Sequence, residues 1–161
     1  MKVTAMYRLL CALCFLSLSF GTAHAEIVVS VFQGKPISVT KNGVTMERVV
    51  PITTMVPGET VVYRYDIHNT AASPAGDVMV KTAIPENTTY LANSAAVPGW
   101  TVLVSHDGEQ HARESELVIT EIDETSRPAA AADIRYLRWT LHGQLGSQEV
   151  KTVEFRSTIN R

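Results

Sequence analysis

The strongest constraint in this chain is a strict alternation. From Val61 to His68, Val61, Tyr63, Tyr65 and Ile67 fall on one parity, with Val62, Arg64, Asp66 and His68 on the other. A period of two sends the two sets to opposite faces of a pleated strand, and β-branched and aromatic residues suit a half-buried sheet. The pattern returns at 78–84, at Leu137-Arg138-Trp139-Thr140-Leu141 with the leucines and Trp139 inward, and at 153–159, where Val153, Phe155 and Ile159 share a face. Fainter runs lie at 27–32, 37–41, 49–55, 101–105 and 117–122. Turn signals separate them: Asn42-Gly43, Pro57-Gly58, Ser73-Pro74, Pro85, Pro98-Gly99, Asp107-Gly108, Arg127-Pro128 and Gly143. Their spacing, roughly 10–15 residues, is near that of an all-β sandwich or barrel. No window after residue 26 carries a helical stripe. Ala129–Ala132, behind Pro128, is too short for a stable helix and predicts a loop or single turn. With no internal repeat, low-complexity tract or long linker, one domain is expected over residues 26–161.

Residues 1–25 read as a cleaved secretory signal peptide. Lys2 and Arg8 form a charged start, Leu9 to Phe20 an apolar core, and Ala23-His24-Ala25 a small-x-small cleavage site. About 12 apolar residues are too few to span a bilayer, which takes about 20. Cys11 and Cys14 lie inside the apolar run rather than just past it, which argues against a lipid anchor. Without this segment 136 residues remain, with no cysteine and a formal charge of −4 in place of −2. A thiol-free, mildly acidic domain excludes a disulfide scaffold, a cysteine zinc site and a thiol nucleophile. It also tells against nucleic-acid binding, which favours basic patches. No later stretch is long enough for a membrane span. The expected location is the bacterial periplasm, or beyond it as a secreted or cell-surface protein.

Residues 56–95 carry a more specific pattern. They read Val56-Pro57-Gly58-Glu59-Thr60-Val61-Val62-Tyr63, then Asn69-Thr70, Val78-Met79-Val80 and Ala83-Ile84-Pro85-Glu86-Asn87-Thr88-Thr89-Tyr90. This resembles the conserved repeat domain of bacterial envelope proteins, number eleven in the domains-of-unknown-function series. That family shows a Pro-Gly turn, a strand ending in Asn, a valine-rich strand, and an Ile-Pro or Leu-Pro step before Thr-Tyr. The second half is similar to its short exported members at Ser105-His106-Asp107-Gly108, Arg127-Pro128-Ala129, Leu137-Arg138-Trp139, Gly143 and Val153-Glu154-Phe155-Arg156, so the resemblance covers about residues 40–160. It departs at Lys81 and Thr82, where Asp is frequent in the family, and at Glu109, where a second glycine is common. The resemblance implies an immunoglobulin-like antiparallel β-sandwich, here of about seven to nine strands, and brings no catalytic residues. Structural roles are expected for Pro57 and Gly58 in a tight turn, Asn69 at a strand end and Pro85 as a strand stop. Tyr63, Tyr65, Trp139 and Phe155 are the expected core.

The most ligand-like stretch is His106-Asp107-Gly108-Glu109-Gln110-His111. His106, Asp107 and His111 are candidate metal ligands, but the spacing matches no established zinc motif, and Asp107-Gly108 suits a hairpin turn. The acidic stretch 107–124 reads as a solvated face, without an Asp-x-Asp-x-Asp-Gly calcium loop. Ser105, His106 and Asp107 are contiguous, so on a strand they would point to opposite faces and form no relay. Asp66 and Glu154 are a carboxylate pair that folding could bring together. The expectation is therefore a non-enzymatic module without cofactor or metal, acting through an envelope or surface protein partner, with 153–159 as the strand most exposed to such a partner. The alternative is a carbohydrate or small-ligand module using Trp100, behind Pro98-Gly99, as a stacking platform.

Overall fold

A computed structural model describes residues 26–161; the signal-peptide features expected in 1–25, with Cys11 and Cys14, lie outside the described residues. The alternating runs become β1 (Ile27–Lys41), β2 (Val44–Pro51), β3 (Thr60–Asn69), β4 (Met79–Ala83), β5 (Thr88–Tyr90), β6 (Trp100–Ser105), β7 (Val118–Thr120), β8 (Ser126–Pro128), β9 (Tyr136–Leu141) and β10 (Val150–Ile159). Ten strands exceed the expected seven to nine. The surplus is physical: β5 and β8 are three residues each, too short to show a period. The Ala129–Ala132 stretch gives a single 3-10 turn, Ala131–Asp133.

All pairings are antiparallel, in a five-stranded sheet ordered β2-β1-β3-β10-β5, a three-stranded sheet β4-β9-β6 and a small β7-β8 ribbon. The first two form an all-β sandwich. Its interior holds the predicted alternation: Val61, Tyr63, Tyr65 and Ile67 of β3 are buried, as are Leu137, Trp139 and Leu141 of β9 and Val153, Phe155 and Ile159 of β10. Tyr63 stacks on Phe155 at 4.9 Å between centroids, while Trp139 lies 6.1 Å from Tyr65 and 6.3 Å from Phe155. These separations lie in the range at which aromatic rings attract one another. Trp139 Nε1–H donates to the Ala95 carbonyl at 2.9 Å, so the indole is buried at no polar cost. A 2.8 Å hydrogen bond between Tyr65 Oη and Thr82 Oγ1 sets β4 over β3.

The turns follow their chemistry. Asn42 and Gly43 both take positive φ (54° and 76°), as a two-residue hairpin between β1 and β2 requires. Gly58 adopts φ 86° after Pro57, and Glu59 N–H closes the turn on the Val56 carbonyl at 3.1 Å. Beyond β4, the Pro85 carbonyl accepts from Thr88 N–H at 3.2 Å and from Thr88 Oγ1 at 2.8 Å, turning the chain into β5. Asn69 is fully buried at the end of β3; its Oδ1 accepts from Ala71 N–H, and its Nδ2 faces the Ser73, Leu145 and Gly146 carbonyls at 2.8–3.1 Å.

One sequence expectation is corrected and another narrowed. The runs 27–32 and 37–41 are one uninterrupted strand, because Gly34 and Pro36 sit within β1 rather than breaking it. The last strand is an open edge over part of its length: β10 pairs with β3 along Val150–Thr158, but β5 covers its other side only at Ser157–Ile159, so among the described residues Val150–Phe155 has a strand on one side alone.

Candidate functional site

One open edge belongs to the first half of β1. Its first half pairs with β3 (Ile27 opposite Asn69, Gly34 opposite Val62), and its second half with β2 (Gly34 opposite Pro51, Lys41 opposite Val44). From Ile27 to Phe32, β1 therefore has a neighbour on one side only among the described residues. The hydrogen-bond phase shows which backbone groups are free. Thr70 N–H donates to the Glu26 carbonyl at 2.9 Å, and Ile52 N–H to the Gln33 carbonyl at 3.3 Å. In an antiparallel ladder the bonding side alternates residue by residue. Even-numbered residues of β1 thus turn towards β3, and Ile27, Val29 and Val31 present N–H and C=O to solvent.

Side chains sharpen the picture. Residues opposite one another in the ladder share a face, so Ile27, Val29 and Val31 lie on the same side as core residues Asn69, Ile67 and Tyr65. No strand of the second sheet stands over them, because β4, the edge of that sheet, already sits over β3. Ile27, Val28, Val29 and Val31 are 36, 42, 44 and 57% exposed. This is an apolar strand with an open ladder, the type of edge that natural sheets usually cover, charge or twist away. Sequence reasoning saw only a faint strand here. The missed signal was apolar residues on both parities without a charge between Ile27 and Gln33, a pattern that ordinarily marks a strand covered on both faces.

At Gly34 the strand passes from one neighbour to the other. The β1–β2 hairpin folds back over the outer face of the large sheet, where Arg156 of β10 pairs with Glu47 of β2 and Val62 is fully buried. Beside it, Arg64 donates Nε–H and Nη2–H to Glu154 Oε2 at 3.1 and 3.0 Å, with its guanidinium 5.9 Å from the Phe32 ring centre. Asp66 and Glu154 do converge on one shallow groove with Thr152 and Pro98. Their charges are already engaged: Thr152 Oγ1–H donates to Asp66 at 2.6 Å, and Arg64 holds Glu154. The pair is a cross-strand ionic lattice, not an acid and base facing a vacant site.

The His106–His111 turn is held by its own hydrogen bonds. Asp107 Oδ1 accepts from Glu109 N–H, Gln110 N–H and Ser105 Oγ at 2.8–3.0 Å. These donors, the Glu109 amide first, hold the Asp107 carboxyl below its ordinary range. Ser105 and Asp107, two residues apart, thus meet at the end of β6 without the intervening histidine. His106 instead turns its Nδ1 to the Asp133 carbonyl at 2.9 Å, and His111 to the Glu109 carbonyl at 3.1 Å. His106, Asp107 and His111 therefore do not converge, and among the described residues no group of three or more His, Cys, Asp or Glu side chains is placed to share a metal. In the acidic stretch, Glu121 pairs with Arg127 at 2.7 Å and Asp123 bonds the Thr125 hydroxyl at 2.6 Å. Glu114 accepts from Tyr90 Oη, whose pKa is pushed up to about 12 by burial and then by that carboxylate. Trp100 is largely buried, and what remains open of it lines an apolar hollow with Ala96, Val97, Pro98 and Val102. Among the described residues no helix is long and apolar enough to cross a membrane.

No protein-family model matches this chain, and neither a curated protein nor a solved structure shows significant similarity to it.

Proposed function

We propose that this chain is an exported, non-enzymatic β-sandwich module of the bacterial cell envelope, related to the conserved repeat domain it resembles, and that it acts by accepting a strand from a protein partner. The observation that carries this is the edge of β1, where Ile27, Val29 and Val31 offer backbone groups that are unpaired among the described residues, beside exposed apolar side chains. Strand addition draws affinity from main-chain hydrogen bonds and selectivity from alternate side chains, and this edge supplies both. Asp66 and Glu154, and Asp107 with its neighbours, are engaged by partners within the fold, which supports a binding role over a catalytic one. Photo-crosslinking tests it: a benzophenone amino acid at position 29 or 31 of the full chain, expressed in an exporting bacterium, should yield discrete protein adducts. The same group at Thr120, on the ribbon, should not. Equal labelling from all three positions, or none from 29 and 31, rejects the proposal. Intact mass of the recovered protein, expected to begin at Glu26, checks export in the same sample.

A further inference from the structure

We infer that the partner also supplies a strand to β4, laid over the first half of β1, with apolar side chains turned inward and a carboxylate turned outward beside Lys81. This rests on the strand-addition reading above and extends it from one sheet to both. Three observations favour it.

The first is the direction in which the bare side chains point. Ile27, Val29 and Val31 lie on the inward face of the large sheet, the side of Ile67 and Tyr65, yet remain exposed. A strand paired with the β1 edge lies beside these residues and leaves the space above them open. A strand in the small sheet covers them. Neighbouring strands are about 4.8 Å apart in either sheet. Tyr65 Oη meets Thr82 Oγ1, and Val31 stands opposite Tyr65, so the next position beyond β4 lies above Val31.

The second is an open ladder at that position. Among the described residues β4 pairs with β9 alone. Ile84 N–H donates to the Arg135 carbonyl at 2.7 Å, and Leu141 N–H to the Val78 carbonyl at 2.9 Å. Even-numbered residues of β4 therefore turn towards β9, and Met79, Lys81 and Ala83 present N–H and C=O to the open side. The side chains of these three are exposed on the outer face, while Val80 is buried in the interior. An incoming strand continues that pleat, apolar over β1 and polar outside.

The third is charge. Lys81 stands directly opposite Arg138 in a non-hydrogen-bonded pair of the β4–β9 ladder, where cross-strand side chains come closest. Like charges so placed repel. No Asp or Glu occurs in any strand of this sheet. Among the described residues neither Lys81 nor Arg138 forms an ion pair, and Arg138 Nε is buried without a hydrogen-bond partner. A carboxylate on the incoming strand opposite Lys81 brings a counter-charge to this row.

Photo-crosslinking from β4 tests this, with the benzophenone amino acid at position 83 of the full chain in the exporting bacterium. It should join the chain to a partner peptide in which apolar residues alternate and Asp or Glu holds a position between them. The same group at position 101, on β6, should give no such adduct. Lys81→Glu should cut the yield about threefold or more with unchanged far-ultraviolet circular dichroism, and Lys81→Gln should cut it less. No adduct from position 83, a linked peptide without that pattern, or a yield indifferent to both Lys81 variants overturns the inference. So does an adduct to a second copy or to residues 1–25 of this chain. If positions 29 and 31 label a partner and position 83 does not, strand addition at β1 stands and only the strand on β4 falls.

Discussion

Asn69 shows how much of this fold one amide can hold. Fully buried, it ties the end of β3 to the loop at Ser73 and to Leu145 and Gly146, across 76 and 77 residues of sequence. Asn69→Asp keeps the shape but turns an oxygen towards three carbonyls. It should cost about 2–4 kcal/mol, read as a lower urea midpoint at unchanged slope, with Asn69→Ala costing less. Asp133 makes a pH-dependent contribution. Arg127, donating to its carboxylate at 2.6 and 3.0 Å, and then the Ala130 amide hold its pKa at about 2, against an ordinary 3.8. A depressed folded-state pKa adds stability above the unfolded value, and that stability is lost as pH falls through the folded one. The melting-temperature gap between wild type and Asp133→Asn should therefore be open at pH 6 and close between about pH 4 and pH 2. Sequence showed that Asn69 ends a strand and bonds locally. It could not show Leu145, because the register of distant strands brings that carbonyl near.

At the scale of elements, Gly34 decides the course of β1. A Cβ there would meet the Val50 carbonyl oxygen and Val49 Cγ1 at 2.6 Å and Phe32 Cε1 at 2.7 Å, too close for backbone to accommodate without moving. Only glycine lets β2 close in where β1 changes neighbours. Gly34→Ala should destabilise the protein by about 1–3 kcal/mol through overpacking. Hydrogen exchange should show protection lost first over residues 35–51, while β3 and β10 stay protected. Pro51, in contrast, is harmless at the end of β2: it stands opposite Gly34, whose backbone bonds face β3, so no ladder bond needs its missing N–H. These effects explain what was legible. Strands whose inward residues alternate over five or more positions, β3, β9 and β10, could be read directly. β1 could not, since Gly34 and Pro36 read as punctuation until β2 is seen beside them.

The whole molecule is a sandwich covered unevenly. Under β3 and β10 the aromatic cluster of Tyr63, Tyr65, Trp139 and Phe155 fills the interior, whereas β1 projects past the edge of the second sheet. The sequence-level expectation of Tyr63, Tyr65, Trp139 and Phe155 as core followed from size and alternation. The open flank depends on sheet widths, three strands against five, which no local pattern encodes. The strand order has one more consequence. β1 and β10 run parallel to each other on either side of β3, so the described chain begins beside Asn69 and ends beside Thr60, at opposite ends of the same three strands. Tension between the termini would load the β1–β3 and β3–β10 ladders in shear, straining their hydrogen bonds together rather than peeling them one by one. A chain held at both ends would resist pulling far better along this line than across it.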